Sequence, residues 1–385
     1  MLVQINMQEH YGGGETYTAS LCRAAQSLGM PQLLIHHPKA QFWHQCIHQT
    51  TPTRALGHAT EIASYLAEYS EQSVHILAHT RLPSSFVQHC RSRGWRTHAL
   101  THMPQQGRNV TGLAEYDQVY GVSHYVIRSL REQGLQNVYA EPMYGIAQVT
   151  PATATDPVTD NNTASIVTPA SPYDWDTRKW RDRCLATLEQ VYPFYQHWHR
   201  AQSAPAPIRL GIVSRLTPIK QFPQLFQILS PVLQKYPAFG LDIYGAGGYA
   251  SVRDLRQALA PIQNRVRWFG FQSKVAAAYQ QIDYLMTGLP EKEALGLNVL
   301  EAAALGVPTL AIQAEPFTET IQNDVTGLFY QDPRQDQGQS FAVLLSRLQQ
   351  RAFQAQAESA QAWLAQFSPA EFCARWQRAL AVSAA

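Results

Sequence analysis

The groups in this 385-residue chain best placed to do chemistry are a few carboxylates and cations set beside apolar runs. In GLPEKEALGLNVLEAAALGVPTLA, residues 288–311, Glu293 and Glu301 flank a stretch that otherwise reads as core helix running into a short strand. A carboxylate among Leu and Ala needs a partner. Paired hydroxyls such as those of a ribose would serve, because an ionised carboxylate accepts from two donors. The competing readings are an Arg salt bridge for Glu301 and a role at the positive start of the helix for Glu293. Glu291 and Lys292 read as loop charges. In GIVSRLTPIKQFPQLF, a strand ends at Ser214 and is followed by Arg215 and Lys220. A guanidinium fork and an ammonium point charge five residues apart can clamp a diphosphate, or can be two solvated loop cations.

Three further places invite a ligand. YGGGETYTASL puts Gly12, Gly13 and Gly14 between a strand and a helix, where the backbone can approach an anion and the first helical N–H groups favour it. DIYGAGG ends another strand in a glycine-rich turn at Gly245. Either stretch also reads as a plain turn. In ALTHMPQQG, His102 sits at a strand's carboxyl end; a lone His is more often structural, and His36, His37, His79 and His98 have weaker claims than His102.

Positioning these residues needs strands that share one edge. Short apolar runs alternate with helical patterns through the first half of the chain: MLVQINM, PQLLIHH, SVHILAHT, RTHALTHM and QVYGVS are strands, with helices between them. That alternation means βαβ units and a mostly parallel sheet. It breaks at TPATATDPVTDNNTASIVTPASP, which has no periodicity and reads as linker, and at the aromatic-rich YDWDTRKWRDRCLATLEQVYPFYQHWHR. The alternation restarts at Ile208 and ends in helices. The expected fold class is α/β, with two doubly wound, Rossmann-like domains facing across a cleft, since such sheets bind ligands beyond the carboxyl ends of their strands. The domain boundaries read as 1–149, an insert at 150–207, 208–360, and a C-terminal helix at 361–385, with its packing back on the first domain left open.

Composition narrows the classes. A formal net charge of +2 gives no reason to expect nucleic acid or another general polyanion as partner. Five scattered cysteines with no Cys-x-x-Cys pair argue against a zinc site and a disulfide framework, and suit a reducing cytosol. The start of the chain lacks the basic and apolar regions of a signal peptide, and no run reaches about 18 apolar residues. Membrane contact, where it occurs, would be peripheral, at the inner face. The expectation is a cytoplasmic protein; its oligomeric state is not readable.

Taken in order, GGGE, SRLTPIK, IYGAGG, VRWFGF, EALGLNVLEAAALGVP and NDVTGLFY resemble the motifs of the retaining glycosyltransferases of the GT-B fold, family 4 type (glycosyl transferases group 1). The second half matches well from about Arg209 to Tyr330 and the first half more loosely. The resemblance implies transfer of a sugar from a UDP- or GDP-linked donor to a hydroxyl of a glycan, glycolipid or small molecule, with retention, without a metal and without a cofactor. The absence of an Asp-x-Asp motif is consistent with that. It implies that Arg215 and Lys220 hold the donor diphosphate, Glu301 the ribose, and that Glu293 and His102 lie by the transferred sugar. Gly296, Leu297 and Asn298 would touch phosphate or sugar through backbone N–H groups. Gly13 and Gly14 would close over the diphosphate, Gly245 would line the donor site and Phe271 would frame the base. EALG stands where the family often has Glu-Gly-Phe-Gly, so the sugar-facing loop differs. The insert at 150–207 either lines an acceptor site or packs through Trp175, Trp180 and Tyr192; packing is the preferred reading. The alternative function is a catalytically inactive GT-B relative that binds a sugar nucleotide or a partner protein. An epimerase and a nicotinamide dehydrogenase fit less well, the latter for want of Gly-x-Gly-x-x-Gly after the first strand.

Overall fold

A computed structural model describes residues 1–47, 51–69, 73–146, 167, 169–176, 179–193, 206–350, 353 and 357–382. Most of the linker expected at 150–172 lies outside these residues, as do residues 201–205 of the second one, at 201–208. The chain forms two compact units, Met1–Gln148 with Ala365–Ala385, and Val149–Leu364.

The first unit is built on β1 (Leu2–Asn6), β2 (Gln32–His36), β3 (Thr53–Ala55), β4 (His75–Ala78), β5 (Arg96–Thr101) and β6 (Gln118–Gly121). They pair in parallel in the order β3-β2-β1-β4-β5-β6. Between them run α1 (Gly13–Ser27), α2 (Trp43–Cys46), α3 (Ala59–Leu66) and α4 (Ser84–Ser92), and α5 (His124–Glu132) follows β6. Leu2, Val3, Ile5, Leu34 and Ile35 are fully enclosed, as strands covered on both faces require. The last helix of the chain, Pro369–Val382, belongs to this unit, and its Trp376 indole donates to the Tyr17 hydroxyl of α1 at 3.2 Å. The short exposed edge strand β3 carries too little apolar pattern to be read from sequence.

The second unit repeats the plan. β7 (Ile208–Val213), β8 (Phe239–Tyr244), β9 (Val266–Gly270), β10 (Tyr284–Met286), β11 (Thr309–Ile312) and β12 (Gly327–Tyr330) pair in the order β12-β11-β10-β7-β8-β9. The helices are α6 (Trp180–Val191), α7 (Phe222–Gln234), α8 (Tyr249–Ala258), α9 (Val275–Tyr279), α10 (Leu297–Ala304), α11 (Phe317–Thr320), α12 (Pro333–Asp336), α13 (Gln339–Gln350) and α14 (Ala357–Leu364). Both sheets are thus parallel and doubly wound, as expected. In each the strand order reverses beside the first strand, between β1 and β4 and between β7 and β10. Ligands of such sheets bind outside the carboxyl ends of the strands at this switch point. Asp242, fully enclosed in β8, receives Arg209 from β7 and Arg267 from β9, with Arg267 Nε at 2.7 Å. This ties the three strands by charge, a buried carboxylate needing such partners.

Two expectations change. The helix thought to start at Glu293 starts at Leu297. Gly296 has φ +82°, a left-handed conformation that ends any helix arriving from upstream, and residues 290–293 form a turn closed by Glu293 N–H to Pro290 O at 2.9 Å. The aromatics of the insert also divide. Trp175 packs on the second core and stacks on Tyr173 at 4.5 Å, but Trp180 and Tyr192 are exposed, at 71% and 58%. α6 turns its acids inward instead: Asp182 and Glu189 are buried, and Glu189 receives the Trp175 indole at 2.6 Å and the Ser171 hydroxyl at 2.7 Å.

Candidate functional site

In the second unit the carboxyl ends of β7 and β10 are drawn together by the residues singled out above. Lys220, in the loop after β7, donates its ammonium to Glu293 Oε2, in the loop after β10. The other oxygen of Glu293 accepts the Ala294 N–H at 3.2 Å, so the carboxylate is oriented at both ends. Lys220 also offers its backbone carbonyl to Leu289 N–H at 3.2 Å. A Cβ at Gly288 would run into that carbonyl, so the two loops cross where only glycine fits. The Asn298 amide closes the group by donating to Val213 O, the last residue of β7, at 3.2 Å.

The neighbouring strand ends are laced to this edge. Gly245 N–H donates to Gly270 O at 2.7 Å, and Leu216 N–H to Ala246 O at 2.9 Å. Gly245 has φ +151°, and a Cβ there would collide with the Ser214 carbonyl just before Arg215. Arg215 is half exposed and lies 4.0 Å from Asp174 Oδ2. Asp174 is set by its own N–H, which donates to Gly247 O at 2.8 Å. Phe271 follows Gly270 and is 64% exposed. Glu291, read as a loop charge, pairs with Arg334, which also holds Asp332.

Glu301 sits in the second turn of α10. The competing reading of an Arg salt bridge is not met: its side-chain partner is Tyr279, the last residue of α9, whose hydroxyl donates to Glu301 Oε2 at 3.0 Å. Burial pushes the Glu301 carboxyl up to about 7, and the Tyr279 hydrogen bond offsets part of that rise. Gly296, Leu297 and Asn298 form the start of α10, where the first N–H groups lack partners within the helix.

In the first unit, Gly13 and Gly14 are the first two residues of α1 and Gly12 its extended cap. Gly14 lies against His102: a Cβ there would meet the imidazole at 3.7 Å, ordinary contact. His102, just beyond β5, stacks with His79, just beyond β4, with His102 Nε2 3.2 Å from His79 Nδ1. His79 Nε2 lies 3.0 Å from the Gln4 amide oxygen. An amide oxygen only accepts, so His79 carries its proton on Nε2 and presents Nδ1 as an acceptor. Thr18 Oγ1 and His102 Nε2 compete for that lone pair. Burial lowers His102 to about 4 and His79 well below its ordinary value, so both rings are neutral near pH 7.

Residues 198–352 match the sequence model of glycosyl transferases group 1. Over 115 residues the chain is 30% identical to N-acetyl-alpha-D-glucosaminyl L-malate synthase of Bacillus anthracis, a match spanning 30% of each chain. Its fold is similar to that of Anabaena HepE in complex with UDP, with 16% identity, 99% of both chains covered and a TM-score of 0.68. It is also similar to the pneumococcal O-GlcNAc transferase GtfA in complex with UDP and GlcNAc, with 10% identity, 99% and 98% covered and a TM-score of 0.69. The chain has the GT-B fold.

The segment of this GT-B chain that matches the group 1 model thus brings together Lys220, Glu293 and Asn298 at the carboxyl ends of β7 and β10, with Arg215 in the loop after β7 and Gly245 and Phe271 on the neighbouring strand ends. Glu301 lies one turn along the same helix as Asn298. Gly13, Gly14 and His102 belong to the other unit of the GT-B fold. Sequence reasoning missed Tyr279, Asp174 and the Gln4–His79 pair behind His102. Tyr279 carries no local signal, because a tyrosine ending a short apolar helix reads as core. Among the described residues no three His, Cys, Asp or Glu side chains assemble a metal-binding group, and no helix is long and apolar enough to cross a membrane.

Proposed function

We propose that this protein is a glycosyltransferase that moves a sugar from a nucleoside-diphosphate sugar to a hydroxyl of a glycan, glycolipid or small-molecule acceptor, with retention at the anomeric carbon. The observation that carries the reading is the Lys220–Glu293 pair, which spans the switch point between β7 and β10 where a doubly wound sheet takes its ligand. The complexes of HepE and GtfA with UDP support a uridine donor, with GDP-linked sugars as the other candidates.

In this reading Arg215 and Lys220 bind the diphosphate and stabilise the charge that grows on it as the glycosidic C–O bond breaks. Such preorganised charge is usually the largest contribution to catalysis. The acceptor oxygen forms the new bond on the face the diphosphate leaves, and the acceptor proton passes to the leaving phosphate oxygen. No resident cofactor takes part, and the two cations do the work a divalent metal does elsewhere. The diphosphate competes with Glu293 for Lys220, and Glu293 released from the pair faces the hydroxyls of the transferred sugar. Glu301 accepts from the donor ribose. Gly296, Leu297 and Asn298 supply backbone N–H groups, Gly245 lets the chain pass close to the donor, and Phe271 stacks on the base. His102, neutral and steered by His79, offers hydrogen bonds rather than charge to a sugar hydroxyl, beside Gly13 and Gly14 at the start of α1.

Thermal shift with UDP, GDP and ADP on the wild type and Arg215→Ala tests the reading, since a ligand of the native state raises the melting temperature by mass action. One diphosphate is expected to stabilise the wild type and not the variant. No shift with any of the three would overturn it.

A further inference from the structure

The Glu301 carboxylate has two oxygens, and only one of them is engaged. Oε2 accepts the Tyr279 hydroxyl at 3.0 Å. Among the described residues Oε1 has no donor. The same Tyr279 oxygen lies 3.0 Å from the Asn298 carbonyl, in the first turn of α10. Tyr279 is fully enclosed, and these are its hydroxyl's two partners. One hydroxyl proton facing two acceptors can go to only one of them at full strength. With Glu301 ionised it goes to the carboxylate, because hydrogen bonds to charged acceptors are the stronger ones. With Glu301 protonated, the carboxyl donates to the phenol oxygen and the phenol donates to Asn298 O.

We infer that Tyr279 is a positioning residue for the nucleotide-binding carboxylate: its hydroxyl ties up Glu301 Oε2, turns Oε1 toward the donor ribose, and favours the ionised acceptor that the ribose hydroxyls need. This inference rests on the donor-site reading above. Burial and the neighbouring carboxyl keep the Tyr279 phenol protonated, so it remains a donor throughout the working range. The rest of the surroundings are quiet. Of the elements packed against α10, β11 (TLAI) brings no ionisable group, and the acid of α14, Glu358, is solvent-exposed. Tyr279 therefore acts on Glu301 opposed only by burial.

The test is binding of UDP-glucose, whose phosphates have no second, near-neutral ionisation to confuse the profile. Affinity is measured by calorimetry from about pH 6 to 9, spanning the carboxyl's transition, on the wild type, Tyr279→Phe and Glu301→Gln. Wild-type affinity is expected to fall as pH drops through about 7, where Glu301 takes up a proton. Tyr279→Phe should weaken binding about tenfold near neutrality and move the acid limb to higher pH, with affinity recovering at the alkaline end, as expected for loss of a hydrogen bond to a charged group. Glu301→Gln should bind weakly with no limb.

A Tyr279→Phe profile identical to wild type overturns the inference. So does a loss equal at every pH, which is what damage to packing alone would give. A pH-independent wild type overturns it without recourse to the variant, should Tyr279→Phe fold poorly. Absence of wild-type binding to UDP-glucose and to the three nucleoside diphosphates is a different result, which removes the donor site itself.

Discussion

The Lys220 ammonium and the Glu293 carboxylate, 73 residues apart, form an ion pair across the point where the second sheet reverses its strand order. The Lys220 ammonium in the loop after β7 is thereby anchored, and Glu293 is fixed further by the Ala294 N–H. A diphosphate and a sugar hydroxyl can each take over one half of this pair. Lys220→Ala should therefore lower kcat by about 10²–10³, as removal of a charge-stabilising donor does elsewhere. Glu293→Gln should lower kcat more than it raises KM for the donor. Because the two side chains act on one another, Lys220→Ala/Glu293→Gln should cost clearly less than the sum of the singles. Steady-state kinetics of the four proteins decide it; additive losses would show that the pair is not a working unit.

Backbone crossings constrain the same edge. Gly245→Ala would place a methyl against the Ser214 carbonyl at a φ of +151°, which L side chains rarely adopt. A loss of roughly 2 kcal/mol is expected, from strain at a position only glycine tolerates. Gly248→Ala, in the same turn with open space around it, serves as the control and should be near neutral. Urea melts of the two variants check this; equal stability would mean the turn yields without cost.

The histidines of the first sheet predict an acid limit to stability. Burial holds His102 near 4 and His98 near 3 in the folded state, against an unfolded value of 6.5. Above 6.5 both states are neutral and the groups contribute no pH dependence. As pH falls below 6.5 the unfolded chain takes up protons that the folded chain refuses, so stability is lost toward the folded values. Each ring should cost about 2 kcal/mol by pH 5. Unfolding free energies at pH 8 and pH 5 measure the loss, and His98→Gln should remove about half of this two-ring part. An equal change between pH 8 and pH 5 in the wild type and His98→Gln would show that this ring titrates as a solvated imidazole.

Much of this architecture could be read from the chain because βα alternation leaves continuous apolar runs, and runs such as IRLGIV and FGLDIY need no knowledge of their neighbours. The motif residues were likewise visible as charge or glycine at the ends of those runs. What joins them was not. Lys220 meets Glu293 because β10 pairs with β7, a fact of sheet order that no local pattern encodes. Glu301 read as needing a partner, a ribose or else an arginine, and the fold also supplied a tyrosine from the helix before β10. The start of α10 was misplaced because Glu, Ala and Leu are good helix formers, and the left-handed turn at Gly296 overrides that propensity. In α6 the expected pattern is inverted: its acids are buried, and Glu189 is satisfied by Ser171 and Trp175, which come from an irregular segment whose placement the sequence does not announce.

Glu301 itself should show that the site is bought at some cost in stability. Its folded carboxyl is raised to about 7 from an ordinary 4.5. Between those values the unfolded chain loses its proton while the folded chain keeps it, so stability falls as pH rises from 4.5 to 7 and the full penalty remains above 7. With allowance for residual solvent contact the penalty is on the order of 2 kcal/mol. Glu301→Gln keeps the shape and cannot ionise, so it should melt higher than the wild type at pH 8 and about level with it at pH 5. The same variant should bind nucleoside diphosphates less well, because a neutral amide oxygen is a weaker acceptor for the ribose hydroxyls than an ionised carboxylate oxygen. Melting curves at the two pH values, with and without UDP, read both effects at once. A variant that is no more stable at pH 8 would mean that the ionised carboxylate is better solvated than its burial implies. One that is more stable and still binds UDP normally would place the ribose elsewhere.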